Sequence, residues 1–363
     1  MKKVLVCVGT RPNLIKITQL EKHFKNYPLE YKLLHTGQHF DYNMNDIFFQ
    51  QLGVKAPDVF LNINQGSQVT VIAQIMQKFE EFILDYKPDL VMVPGDVNSS
   101  FACAFVASRH NIPVAHIESG LRSFDMTMPE EVNRILIDNV AELFFVTEPS
   151  GEENLVKENK NKAGIRYVGN TMIDSVVAFM PMIDKSEVRK NLGVEDYYLV
   201  TFHRPVNVDQ KANLEIVAGI LTEISKTQKV VFPIHPRTRK RFHEFGLQSA
   251  IENDRIIITD PQGYLDFISL AKNAKVVITD SGGVQEETTF LGVPCVTLRQ
   301  STERPVTVTE GTNTMCELDV KALSAILQTI ENGTYKKGSI PKYWDGKASE
   351  RIAKEVNDFL YRH

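Results

Sequence analysis

Carboxylates, a histidine and cations recur in this chain directly after apolar runs. Asp96 follows Leu90–Val93, Glu118 follows Val114–Ile117, and His203 follows Tyr198–Phe202. Side chains that can give and take protons, gathered at one cleft, are what general acid/base chemistry requires. Glu130 lies close by in PEEVNR, with Glu131 and Arg134. Arg11 and Lys16 follow the first apolar run, Val4–Val8, and two cations there suit a phosphate. The stretch Thr279–Pro305 adds a second anion site. The turn Ser281–Gly282–Gly283 joins the run Val276–Ile278 to an apparent helix holding Glu286 and Glu287. Strand, glycine turn and helix aim free backbone N–H groups at an anion, and the helix dipole adds to the attraction. One of the two carboxylates a turn in, Glu286 or Glu287, can take hydrogen bonds from a ribose. Arg304, after the next strand, brings back a guanidinium, and the set reads as a nucleotide diphosphate site.

Each feature has a plainer reading on its own. A lone Ser-Gly-Gly is a tight turn with a capping serine, Asp96 can cap the next helix, and strand-end histidines such as His203 and His235 are often structural. Phe267, in PQGYLDFISL, can stack on a base or fill a core. Gln38, in the polar run HTGQHFDYNMND after Leu33–Leu34, can bind substrate or satisfy its own loop.

The elements that must position these groups are legible as an alternation. Continuous apolar runs read as parallel strands buried on both faces. Between them come amphipathic stretches, such as the one after Ser67 with Val69, Ile72, Ile75, Met76, Phe79, Phe82 and Ile83 at helical spacing. Two such series follow one another, with GNTMIDSV, around Asn170–Val176, as the hinge. The expected fold is α/β: two Rossmann-like doubly wound domains, residues 1–170 and 171–345, facing a central cleft, then a terminal helix over 346–363.

Bulk properties narrow the classes. The 363 residues are 43% apolar and 24% charged, in globular proportions. A net charge of −4 gives no pull toward nucleic acid or an anionic membrane. The first apolar run breaks at Gly9–Thr10–Arg11–Pro12, too soon for a signal peptide, and no run reaches a membrane span. Cys7, Cys103, Cys295 and Cys316 show no metal-binding spacing and read as reduced, mostly buried thiols of a cytoplasmic protein.

Taken together and in order, GTRPNLIK, HTGQHFDYNM, PGDVNSS, HIESGLR, PEEVNR, HRP, TDSGGVQEE and TERP resemble the non-hydrolysing UDP-N-acetylglucosamine 2-epimerases, over nearly the whole chain. The resemblance implies the glycosyltransferase-B architecture, with the terminal helix crossing back to the first domain. It implies a cytoplasmic homodimer that uses neither metal nor nicotinamide. It assigns Asp96, Glu118, Glu130 and His203 to acid/base work, and Arg11, Lys16, Ser281 and Gly282 to the phosphates. Glu287 would hold the ribose and Phe267 the uracil. Gln38, His235, Gly283 and Arg304 complete the substrate-binding set. The chain departs from the best-known members at HRPVN, where Pro205 replaces a second arginine, and at Asp41 and Tyr42. The HRPxN form also resembles relatives acting on UDP-2,3-diacetamido-2,3-dideoxyglucuronic acid, whereas the GTRP start is closer to users of the plain sugar. A glycosyltransferase of the same architecture, a sugar-releasing hydrolytic relative and a UDP-sugar-binding protein without turnover are the rival expectations.

Overall fold

The apolar runs become parallel strands buried on both faces, as their lack of alternation requires. In the computed structural model, which describes residues 1–37, 52, 55–63 and 66–361, the chain divides into two compact units. Unit 1 is Met1–Ala178 with Lys342–His363, and unit 2 is Phe179–Pro341.

Unit 1 carries β1 (Lys2–Val8), β2 (Leu29–His35), β3 (Val59–Phe60), β4 (Leu90–Pro94), β5 (Val114–Ile117), β6 (Leu143–Val146) and β7 (Ile165–Tyr167). Their order is β3-β2-β1-β4-β5-β6-β7, with every pair parallel. The winding reverses between β1 and β4, and open parallel sheets take ligands at the carboxyl ends beside such a reversal. Helices cover the faces. In the helix Gln68–Tyr86 the Ser67 hydroxyl accepts the Thr70 N–H at 3.2 Å, and Lys87 ends it in a left-handed conformation before Pro88. Its buried face (Val71, Ile75, Phe79, Ile83) packs on Leu5, Leu34, Val91 and Val93. Phe79→Ala there should cost about 3–5 kcal/mol.

Unit 2 carries β8 (Tyr197–Thr201), β9 (Lys229–Pro233), β10 (Ile256–Thr259), β11 (Val276–Thr279), β12 (Cys295–Leu298) and β13 (Asn313–Cys316). The order is β10-β9-β8-β11-β12-β13, again all parallel, with the reversal between β8 and β11. One face packs Val200, Phe232 and Ile278 against the helix Lys211–Ile224, and the other packs Leu199, Val231 and Val277 against Leu270.

Residues 170–176, read from sequence as a hinge, form the start of a helix, Thr171–Ile183. Asp174 in that helix accepts the N–H groups of Ala348 (3.0 Å) and Ser349 (2.5 Å), which open the terminal helix Ala348–Tyr361. Trp344, 1% exposed, donates its indole N–H to the Thr147 carbonyl at 2.9 Å. All four cysteines are buried and outside disulfides. Among the described residues no helix is long and apolar enough to cross a membrane.

Candidate active site

The carboxyl ends of β1, β4 and β5 bring the first group together. Arg11 and Lys16 stand on the helix Arg11–Ile17 that follows β1, Arg11 exposed at its first residue and Lys16 buried. Lys16 Nζ donates to Glu118 Oε2 at 2.5 Å, with the two side chains 8% and 2% exposed. Glu118 follows β5 with φ of 69°, a left-handed conformation that is strained for any residue with a side chain. The turn is held because the N–H groups of Glu118 and Ser119 both reach the Phe145 carbonyl, at 3.1 and 3.2 Å. Gly95, after β4, has φ of +62° and a Cβ there would lie 2.8 Å from Lys16 Nζ. Both facts favour glycine.

The N-cap position of the next helix, Asn98–Arg109, is Val97 rather than Asp96. Asp96 pairs with Arg134 at 2.6 Å. Arg134 also holds Glu131 at 2.5 Å, and Glu131 takes the N–H groups of Ser123 and Phe124, both at 2.9 Å. Of the adjacent acids in PEEVNR, Glu131 is thus a buried brace, while Glu130 stands exposed on the first turn of the helix Pro129–Val140. Beneath the group, His116 Nδ1 lies 2.6 Å from Asp138 and its Nε2 is 2.9 Å from the Gly95 carbonyl. Burial would raise the Asp138 carboxyl, but the charges and bonds of His116 and Arg122 outweigh it and hold it below the usual range.

In unit 2 the chemistry again sits at the reversal. His203 follows β8, and Asp280 follows β11, with Nδ1 of His203 3.1 Å from Asp280 Oδ1. Ser281 caps the helix Gly282–Leu291 without a side-chain cap bond, leaving Gly282 and Gly283 in the first turn. A Cβ on Gly282 would come within 2.8 Å of Arg304 Nη1 and Glu303 Oε1. Arg304 is 5% exposed and lies between carboxylates, with Nε 2.9 Å from Glu286 and Nη1 against Glu303. Its charge is already matched on two sides. Glu287 is buried and its carboxyl is pushed up to about 8, by burial first and then by Glu286, with nearby Tyr264 opposing.

His235 follows β9, accepts the Arg237 N–H on Nδ1 at 3.1 Å, and has its ring 6.1 Å from that of His203. Burial, then the charges of His203 and Arg237, lower its pKa. Phe267 is half-buried on the helix Tyr264–Asn273 and packs on the core that includes Leu270, so part of its surface does serve packing. Gln38, Asp41 and Tyr42 lie outside the described residues. A cavity of about 1200 Å³ opens at the opposite, amino ends of β8 and β9, lined by Arg189, Lys229 and Lys272 among others, and holds none of these groups. Sequence reasoning assigned no role to Asp280, Asp138 or Arg134. Their signal is polar residues at positions that burial would otherwise give to apolar ones.

Two parallel Rossmann-like sheets, each with its polar groups at the winding reversal, define an α/β protein of the glycosyltransferase-B type. A family model described as UDP-N-acetylglucosamine 2-epimerase matches residues 22–357, and the chain belongs to that family. It is 41% identical, over 88% of its length and 89% of the relative's, to the UDP-N-acetylglucosamine 2-epimerase of Methanococcus maripaludis. It is 39% identical, over 97% of its length and 98% of the relative's, to the UDP-2,3-diacetamido-2,3-dideoxy-D-glucuronate 2-epimerase of Pseudomonas aeruginosa. The crystal structure of Methanocaldococcus jannaschii UDP-GlcNAc 2-epimerase with UDP-GlcNAc and UDP superposes with a TM-score of 0.89 at 39% identity, covering 98% of this chain and 99% of that one.

Proposed function

We propose that this enzyme interconverts UDP-N-acetylglucosamine and UDP-N-acetylmannosamine by eliminating UDP across C1–C2 and adding it back. The C2 proton of the sugar has no adjacent carbonyl, so direct abstraction is hard. Elimination makes it feasible: a base takes the C2 proton, the C1–O bond breaks, and the pair of electrons leaves with the diphosphate. The product held in the site is 2-acetamidoglucal, and protonation from the opposite face during re-addition inverts C2. Asp96, Glu118, Glu130 and His203 supply the proton transfers. Arg11, Lys16 and the N–H groups at Ser281–Gly283 take the developing diphosphate charge. Glu287 and Phe267 hold the nucleoside. Unit 1 thus carries the three carboxylates, and unit 2 carries His203 with the nucleoside-binding groups.

The observation that carries this reading is the buried pair of Lys16 and Glu118 at the winding reversal of unit 1, a cation and a base in contact where a parallel sheet takes its ligand. A homodimer in the cytoplasm, making precursors of surface polysaccharide, is the setting the family resemblance supports.

The test is proton NMR of UDP-N-acetylglucosamine with enzyme in D2O, without added metal or cofactor. UDP-N-acetylmannosamine carrying deuterium at C2 is the expected product. Turnover of only the diacetamido-uronate would move the assignment to that sugar, which Pro205 in HRPVN favours. UDP binding with neither sugar turned over would leave a binding protein and sink the proposal.

A further inference from the structure

Asp280 occupies a place that the proton chemistry above does not use. It is the first residue after β11, and its side chain is fully buried. The paired strand β8 ends at Thr201, opposite Thr279, so the loop bearing His203 leaves the sheet beside it. An isolated ionised carboxylate cannot be buried without donors. Here the donors all come from the His203 loop. Oδ1 accepts the His203 N–H at 3.1 Å, and Oδ2 accepts the Arg204 N–H at 3.0 Å and the Asn207 side-chain amide at 3.1 Å. The His203 ring then lies against Oδ1 through Nδ1, also at 3.1 Å, and is 42% exposed. Nε2 makes no hydrogen bond to the described residues.

A carboxylate that is ionised can only accept, so the ring nitrogen facing it must donate. Burial would raise the Asp280 carboxyl, but the bonds and charge of His203, the Arg204 N–H and Asn207 hold it below the usual carboxylate range. It is therefore ionised at neutral pH. We propose that Asp280 is the positioning residue for His203: across the β8–β11 reversal its carboxylate holds the ring with a proton on Nδ1 and presents Nε2 to the substrate. This rests on His203 having a part in the proton transfers. Asp280 itself touches no substrate and acts only through the ring and its loop.

Asp280→Asn separates this from a merely structural role. The amide has one acceptor oxygen, and the Oδ2 place, with the Arg204 and Asn207 donors, is where it is best satisfied. Its NH2 group then faces Nδ1, which must accept, so the ring proton moves to Nε2. In the full-length protein, 15N NMR of the His203 ring should report Nδ1–H in the parent and Nε2–H in Asp280→Asn. In steady-state assays kcat should fall by about 10²–10⁴, the usual worth of one general acid/base group, with KM within a few-fold. On a His203→Ala background the same substitution should cost nothing further in kcat, because residues that act as a unit are not additive. UDP binding and the thermal midpoint establish that each variant is folded. A ring that stays Nδ1–H in Asp280→Asn overturns the proposal, and so does an undiminished kcat. Equal losses with and without His203 would also overturn it, since Asp280 would then be bracing the loop alone. The NMR readout needs no turnover, so it decides the ring geometry even if the epimerase reading fails.

Discussion

Removing Lys16 while keeping its volume tests whether the unit 1 site is held together by its own charges. Lys16→Met leaves the Glu118 carboxylate, 2% exposed, without the cation 2.5 Å away. At that separation and an effective dielectric of about 20, the gross attraction is about 7 kcal/mol. Desolvation of both ions takes back most of it. What remains is the asymmetry: deleting one partner of a buried pair strands the other and costs about 3–5 kcal/mol. That is a large share of the stability of a domain, about 5–15 kcal/mol. Lys16→Met with Glu118→Gln removes both charges and should cost well under the sum of the two single variants, with a coupling of about 2–3 kcal/mol. Urea denaturation followed by tryptophan fluorescence is a clean assay, because Trp344 is the single tryptophan and is buried in unit 1. A loss below about 1 kcal/mol for Lys16→Met, or strict additivity in the double variant, would refute the argument that the pair is a buried tie.

Two more outcomes concern the helix Gly282–Leu291 of unit 2. Glu287, with its carboxyl pushed up to about 8, keeps a proton in the folded state that the unfolded chain, at about 4.3, releases. The stability it lends is complete below pH about 4.3 and is lost as the pH rises through about 8, so Glu287→Gln should flatten that slope; equal slopes in urea titrations across this window would remove the claim. Gly282→Ala places a methyl 2.8 Å from Arg304 Nη1 and Glu303 Oε1, both buried and mutually paired. The helix start must shift, and calorimetry should show UDP binding weakened tenfold or more, about 1.4 kcal/mol; an unchanged Kd would mean that this turn does not hold the diphosphate.

Much of the architecture is readable in the sequence because buried parallel strands leave a strong mark. Val4–Val8, Leu90–Val93 and Val276–Ile278 are unbroken apolar runs, and the end of each run marks a strand's carboxyl end to within a residue. That places Lys16, Asp96, Glu118, His203 and Ser281 beyond the carboxyl ends of strands without knowledge of strand order. Strand order is itself invisible, since β1 lies beside β4 only through contacts some ninety residues apart. For the same reason the partners of each charge could not be read. Arg304 is a free guanidinium in the sequence and a buried, twice-matched one in the structure. Choosing between Glu130 and Glu131 needed helix phase relative to the core, which puts Glu131 inward and Glu130 outward. The left-handed backbone at Glu118 left no trace, because the usual signal for it is glycine.

The return of the chain to unit 1 sets an order of events in synthesis. Unit 2 is one continuous stretch, Phe179–Pro341, and has all its strands once that stretch is made. Unit 1 begins first and finishes second. Until residues 342–361 emerge, the Thr147 carbonyl lacks Trp344, and Asp174 is a carboxylate awaiting the N–H groups of Ala348 and Ser349. Domains that form during translation usually do so from the amino end. Here the half bearing Lys16, Asp96 and Glu118 completes itself only after the half bearing His203 and the Ser281–Gly283 turn, so a stalled chain would hold a finished unit 2 beside an unfinished unit 1.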